Sequence, residues 1–451
     1  MLRSINPYDQ QLIGEYPPLT ISQLRRTLDR AETTFGDWRK TPLTQRTDLL
    51  RNAATVLTRR RDALARLITD EMGKTLREAQ GEIEKCALGC TWYAGHGDEI
   101  LRPRPHDSDA KSKSYVRYDP LGPVLAIMPW NFPFWQVVRF AAPALLAGNV
   151  GLLKHAANVS GCSLALEAVF REAGFPEGCF QSLLIDSKTA SGLIADPVVR
   201  AVTLTGSEKA GAEVAAAAGR AIKKTVLELG GSDPFIVLAD ADVEEAANVA
   251  RQSRLQNAGQ SCIAAKRFII VRKVHDSFVE AFIRGLPAYQ PGNPVLDSTK
   301  MGPMARPDLA EDLADQVRRS LDQGAQQAAG GPRINCLMPP VVLTGVRPGI
   351  AAFDEETFGP LAAMIEARDE AHAVQLANQS RYGLGAAVWS RDRERAESIA
   401  GQIESGNVFI NAMVKSVPSL PFGGVKQSGY GRELSELGLR EFVNIKTVYV
   451  N

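Results

Sequence analysis

Three side chains of this chain stand where they could act together on a carbonyl group. Cys262 follows a short polar turn, Gln256-Asn-Ala-Gly-Gln-Ser, and precedes the apolar run 268–271. Gly259 can relieve backbone strain there, Gln260 and Ser261 keep the approach polar, and small Ala264 and Ala265 leave room beside the sulfur. Lys266 and Arg267 come next, and their charge would favour the thiolate, the nucleophilic form. A single cysteine is otherwise a small buried apolar residue, so a reactive one needs a base and an oxyanion donor elsewhere.

Asn131 and Glu228 are the candidates. Asn131 lies between Pro129 and Pro133, directly after the apolar run 124–128, and is held where a strand ends. Its NH2 could donate to a developing oxyanion; the alternative is an asparagine that caps its own turn. Glu228 lies inside the apolar run 225–229, just before a Gly-Gly turn. Burial there should raise its pKa toward that of a general base, unless it forms a structural ion pair with Lys223 or Lys224.

Composition narrows the class. The chain has 451 residues, 45% hydrophobic and 23% charged, with 52 Lys and Arg against 51 Asp and Glu. That balance suits a folded protein of two or three domains and gives no electrostatic basis for binding nucleic acid or a membrane surface. The apolar stretch 140–153 is broken by Pro143, Gly148 and Asn149, and residues 1–7 have no apolar signal core, so a cytoplasmic location is expected. Six cysteines are too sparse for a disulfide framework. Cys86 and Cys90 lie one helical turn apart, yet no spaced third and fourth ligands follow, and no metal is expected.

Residues 20–100 read as helices, with a capping box at Thr20 and Gln23, apolar Leu64, Leu67 and Ile68 at helical spacing, and Gly73 as a stop. Residues 101–119 read as an exposed β excursion, which the C-terminal run 445–450 can complete. From Val124, strands at 124–128, 150–154, 180–184, 201–205 and 225–229 alternate with helical runs, and a second alternation follows from Phe235 to about Asn411. This predicts an α/β protein with parallel sheets, the first of a nucleotide-binding type.

With nucleophile, base and oxyanion donor in place, the chain resembles the aldehyde dehydrogenase superfamily. The motifs Pro129-Trp-Asn-Phe-Pro, Glu228-Leu-Gly-Gly, Gly259-Gln-Ser-Cys, Glu355-Glu-Thr-Phe-Gly-Pro and Pro421-Phe-Gly-Gly-Val-Lys-Gln-Ser-Gly occur in the family's order and approximate spacing. The resemblance implies a Rossmann-type NAD(P)-binding domain at 1–102 and 120–229, an α/β catalytic domain at 230–440, and a small β oligomerisation arm at 103–119 and 441–451. It implies a homodimer or homotetramer. In the implied reaction Cys262 attacks the aldehyde, Asn131 and the Cys262 backbone N–H hold the oxyanion, hydride passes to the nicotinamide, and Glu228 activates water to hydrolyse the thioester.

No Gly-x-Gly-x-x-Gly occurs, and this family does without it. Gly206 and Ser207 follow a strand and open a helix, where backbone N–H groups meet a diphosphate. By resemblance Ile127, Trp130 and Lys154 join the cofactor site, and Glu356 and Phe358 contact the nicotinamide ribose and ring. Ala157 stands where many NAD-selective members have a glutamate that repels a 2′-phosphate, so NADP is expected to serve at least as well as NAD. Trp135 and Arg139 share a helix face, and no acidic residue occurs from Val124 to Ala157. An arginine unpaired at a cleft wall suits a carboxylate-bearing substrate; pairing over long range or surface exposure is the alternative. Within the superfamily, Phe134-Trp-Gln-Val-Val-Arg-Phe, Lys154-His-Ala and Cys262-Ile-Ala-Ala-Lys-Arg-Phe look most like the short bacterial succinate-semialdehyde dehydrogenases, with Ser419 as a further contact to the carboxylate. Glutarate semialdehyde or an aliphatic aldehyde would leave the motifs unchanged, and a non-catalytic protein of this fold is the remaining rival. Ile263 and Ala264 leave no second thiol beside Cys262 for a redox switch.

Overall fold

A computed structural model describes residues 1–106 and 112–451. The expected helical region forms Ile21–Trp38, Leu43–Arg59, Arg61–Met72 and Leu76–Leu101 (α1). The Thr20–Gln23 capping box is formed, and Gly73 ends the third helix at φ 83°. A Cβ at Gly73 would come 2.8 Å from ring atoms of both Pro7 and Pro303, so glycine is required there twice over. An N-terminal hairpin, Leu2–Ile5 with Leu12–Tyr16, was not expected. Most of its side chains are exposed or half-buried, so it lacks the apolar alternation that marks a strand.

The first alternation yields β1 (Pro123–Met128), α2 (Trp135–Ala147), β2 (Val150–His155), β3 (Phe180–Ser182), β4 (Ala201–Thr205), α3 (Glu208–Arg220) and β5 (Lys224–Glu228). Its sheet order is β5-β4-β1-β2-β3, all parallel, with Gly429–Tyr430 added antiparallel beside β5. That short strand comes from the region expected to be catalytic, so the C-terminal part extends the edge of the first sheet. The order reverses between β1 and β4. The crevice at their C-terminal ends is where open α/β sheets bind ligands, and Asn131 and Gly206 both follow strands into it. Every residue of α2 is buried, including Gln136 and Arg139, because the helix is packed on both sides.

The second alternation builds β6 (Asp233–Val237), β7 (Ala265–Val271), β8 (Val341–Thr344), β9 (Leu361–Ala367), β10 (Gly385–Trp389) and β11 (Asn407–Ile410) in the order β8-β9-β7-β6-β10-β11, all parallel. Successive residues feed two apolar layers, Ile236, Ile269 and Ile365 on one face and Phe235, Phe268 and Met364 on the other. Strands buried on both faces read as continuous apolar runs, which is why this part was legible.

The excursion is met as well. Arg104–His106, Lys113–Pro120 and Val443–Val450 form an antiparallel three-stranded sheet, with Lys113 opposite Val450. Residues 107–111 of the expected arm lie outside the described residues. Among the described residues no helix is long and apolar enough to cross a membrane.

Candidate active site

Cys262 sits in the connection from helix Val243–Leu255 to β7. Three successive residues there, Asn257, Ala258 and Gly259, take positive φ of 54°, 51° and 75°. A Cβ at Gly259 would come 2.4 Å from the Gly359 backbone, so the loop is wedged against residues 355–360. Gln260 does not line the approach as expected. It is buried, donating from Nε2 to the Asn257 carbonyl at 3.0 Å and accepting the Ala305 N–H at 2.8 Å, and so rivets the loop in place.

Five cysteines are buried and Cys262 is partly exposed. Cys86 and Cys90 lie within the core of α1, and no group of metal-ligating residues occurs among the described residues. Burial pushes the Cys262 thiol up to about 11, while Arg139 and Lys266 act in the opposite direction. Lys266 therefore has the expected influence. Arg267 does not: it is directed away, donating to the carbonyls of Ser232, Leu376 and Ala377 at 2.8–2.9 Å. The cation that takes its place is Arg139, brought in by α2.

Asn131 is held across the chain rather than within its own turn. Its Nδ2 donates to the Gln260 carbonyl at 3.1 Å, and its backbone carbonyl accepts from Asn257 Nδ2 at 2.8 Å. One amide hydrogen therefore fixes the group and the other stays free for an oxyanion. His155 supports the turn. Its Nε2 lies 2.9 Å from the Pro133 carbonyl and its Nδ1 3.2 Å from the Met128 carbonyl and 3.0 Å from the Ala156 nitrogen; burial lowers its pKa to about 4, and the ring is neutral. Replacing Asn131 by alanine is expected to lower kcat by ~10²–10³, the usual cost of one oxyanion donor; a loss below about tenfold in steady-state assays would remove it from that role.

Sequence reasoning missed Glu82 on α1. Its Oε1 accepts the N–H groups of Phe134 and Trp135 at 2.9 and 3.0 Å, capping α2 at the end that carries the site. Lys74 pairs with it in the interior and lies 3.7 Å over the Phe132 ring. Nothing local distinguishes this pair from solvent-facing charges.

Glu228 ends β5 with 2% of its surface exposed and neither carboxylate oxygen hydrogen-bonded. The structural ion pair is not formed, because Lys224 pairs with Glu441 at 2.9 Å and Lys223 donates to the Asp196 carbonyl at 2.5 Å. Burial, then the charge of Glu433, hold the Glu228 pKa well above the carboxylate range, opposed by Arg139 and Arg432. Glu228 lies against Gly423, where a Cβ would approach its Oε1 to 2.7 Å.

Cys262 lines two cavities. One, of about 440 Å³, is walled by Trp135, Arg139, Lys85, Phe132 and Ser416. The other, of about 260 Å³, is walled by Trp130, Asn131, Gly206, Ser207, Glu356 and Phe358. The thiol thus faces a cavity on each side. In the second cavity the start of α3 presents Gly206 and Ser207, whose hydroxyl accepts the Ala210 N–H at 3.3 Å and keeps its own proton to donate. The Trp130 and Phe358 rings meet edge to face at 5.8 Å. Glu356 accepts the Gly231 N–H at 3.0 Å and pairs with Lys266 at 3.6 Å. Ile127 and Lys154 are register partners at the ends of β1 and β2, and exposed Ala157 follows β2; these three lie outside the cavity wall. A helix N-terminus, an aromatic pair and a thiol in one crevice fit a nicotinamide dinucleotide.

A model of the aldehyde dehydrogenase family matches residues 1–448. The chain belongs to the aldehyde dehydrogenase family. It is 48% identical over 452 residues to a probable NADP-dependent succinate-semialdehyde dehydrogenase of Synechocystis, covering 100% of this chain and 99% of that one. It is 46% identical over 454 residues to a succinate-semialdehyde dehydrogenase [NADP(+)] of Mycobacterium tuberculosis, with the same coverage. The crystal structure of succinic semialdehyde dehydrogenase from Streptococcus pyogenes with NADP+ superimposes with a TM-score of 0.97 at 38% identity, covering 100% of both chains.

On the aldehyde side of this dehydrogenase, two expectations are corrected. Arg139 is not unpaired: it forms a buried ion pair with Glu433, its Nη2 is 3.4 Å from Thr205 Oγ1, and its guanidinium lies 4.8 Å over the Phe422 ring. Absence of a nearby acid in the chain did not mean absence in space. Ser419 is exposed and does not line the cavity; Ser416, three residues earlier, does, accepting from Trp135 Nε1 at 2.9 Å. A loop without regular structure carries no periodicity from which the inward residue could be read.

Proposed function

We propose that this aldehyde dehydrogenase oxidises succinate semialdehyde to succinate, with NADP as the preferred hydride acceptor. The observation that carries the reading is the cavity beside Cys262, which has the cationic side chains of Lys85 and Arg139 in its wall. A small aldehyde with a distal carboxylate suits such a wall.

Cys262 Sγ, as thiolate, bonds to the aldehyde carbon, and the carbonyl oxygen becomes an oxyanion beside the free N–H of Asn131. A bound nicotinamide supplies the hydride acceptor. Arg139 and Lys266 stabilise the sulfur as an anion both before attack and on its departure. Glu228, once deprotonated, takes a proton from water as its oxygen adds to the thioester; the C–S bond then breaks and the acid leaves.

Formation of NADPH from succinate semialdehyde, glutarate semialdehyde and propanal, with Cys262→Ala as blank, tests the reading. The four-carbon acid aldehyde should give the highest kcat/KM, and equal values for propanal would overturn it. For the cofactor, Ala157→Glu is expected to lower kcat/KM for NADP relative to NAD by roughly a hundredfold, about 3 kcal/mol, by placing a carboxylate near the 2′-phosphate. A wild-type preference for NAD above that factor would reverse the assignment.

Assembly into a homodimer or homotetramer through the three-stranded arm is supported by its long edge strand Val443–Val450, with exposed Ile445, Tyr449 and Val450. A cytoplasmic location is supported by six free cysteines.

A further inference from the structure

Lys266 lines neither cavity and exposes none of its side chain, yet it stands directly behind the nucleophile loop. A bulge puts it there. Where β6 pairs with β7, Asp233 lies opposite Ala265 and Pro234 opposite Arg267, so Lys266 is skipped and its side chain turns toward the loop. Its ammonium has three N–H donors and no acceptor. Nζ donates to the carbonyls of Ser261 at 2.9 Å, Cys262 at 2.8 Å and Ala264 at 3.4 Å, and Glu356 supplies the counter-charge at 3.6 Å. A Cβ at Gly231 would come 2.6 Å from the Cys262 carbonyl oxygen, which is therefore confined between Gly231 and Lys266.

The peptides here are trans, and a planar trans peptide directs its N–H opposite to its C=O. With the Ser261 carbonyl drawn toward Lys266, the Cys262 N–H is directed away from it; the Cys262 carbonyl does the same for the Ile263 N–H. Neither N–H has an acceptor among the described residues. We propose that Lys266 is a positioning residue of the oxyanion site, which aims the Cys262 N–H at the aldehyde oxygen by holding the Ser261 carbonyl. The cation also polarises that amide and so strengthens its N–H as a donor. This rests on the covalent mechanism above. It is separate from the influence of the Lys266 charge on the sulfur, which acts on the thiolate before attack; the held peptide acts on the oxygen as it gains charge.

Two reactions of Cys262 separate these effects. Alkylation by iodoacetamide consumes the thiolate and forms no oxyanion, whereas single-turnover NADPH formation from succinate semialdehyde, with enzyme in excess, needs both. In Lys266→Met, alkylation at pH 8 should slow by no more than about tenfold, the effect of one nearby charge, while NADPH formation should slow by ~10²–10³. The ratio of the two rates therefore falls at least about tenfold. Lys266→Gln is uncharged and one bond shorter but still carries a donor; it should alkylate like K266M and recover part of the NADPH formation. Equal slowing of both reactions in K266M would leave Lys266 only a charge acting on sulfur and overturn the proposal, as would NADPH formation at the wild-type rate. Because the other five cysteines are buried, more than one alkylated thiol per chain marks an opened fold. K266Q then carries the comparison, and an opened K266Q would make the role structural and overturn the proposal too. A wild type that forms no NADPH in a single turnover removes the covalent mechanism itself.

Discussion

Cys262→Ala should abolish aldehyde oxidation, lowering kcat by at least ~10⁴-fold while the protein stays folded. The expectation rests on position as much as on residue type. Cys262 lines both cavities, so no other thiol can take its place; Cys86, Cys90, Cys162, Cys179 and Cys336 are buried. Alanine removes a partly exposed sulfur at a cavity wall and leaves the loop contacts of Gln260 and Gly259 untouched, so little stability is lost. A complementary measurement uses the thiol itself. With its pKa raised to about 11, alkylation by iodoacetamide should accelerate about tenfold per pH unit between pH 7 and 9, as the thiolate fraction grows. Residual dehydrogenase activity near the wild-type level in the alanine variant would dismiss the covalent mechanism.

Glu228→Gln should separate the two halves of the reaction. Acylation and hydride transfer need no base of this kind, so about one equivalent of reduced cofactor per site should appear in a burst. Hydrolysis then stalls, and the steady rate should fall ~10²–10⁴-fold. The same variant should be more stable than wild type at pH 8. Folding raises the Glu228 pKa, so above the ordinary carboxyl value the folded chain holds a proton that the unfolded chain has released. The stability contributed by this residue is full below that value and declines as pH rises toward the folded pKa. Glutamine does not titrate and avoids the decline. Thermal unfolding at pH 5 and pH 8 measures this: the Tm advantage of E228Q should be larger at the higher pH. A variant with normal steady-state turnover, or without a burst, would show that another group serves as base.

Much of this was legible in the sequence because it depends on local pattern. Parallel strands buried on both faces appear as unbroken apolar runs, so β1 to β5 and the second sheet could be read directly. Gly259 and Gly73 announced positions where a side chain has no room. The family motifs then placed Cys262, Glu228 and Asn131 in order.

What remained hidden depends on partners distant along the chain. The pairing of Arg139 with Glu433, the capping of α2 by Glu82, and the raised pKa of Glu228, buried and facing the charge of Glu433, each join segments that only folding brings together. The sequence by itself determined which groups are present, which strands are buried and which family the chain resembles, because backbone propensity and apolar periodicity are properties of neighbours. The tertiary structure alone decided which cation is neutralised, which serine faces the cavity and which lysine holds the carbonyls of the nucleophile loop. Electrostatic energy depends on distance and burial in space, and neither is written in the order of residues.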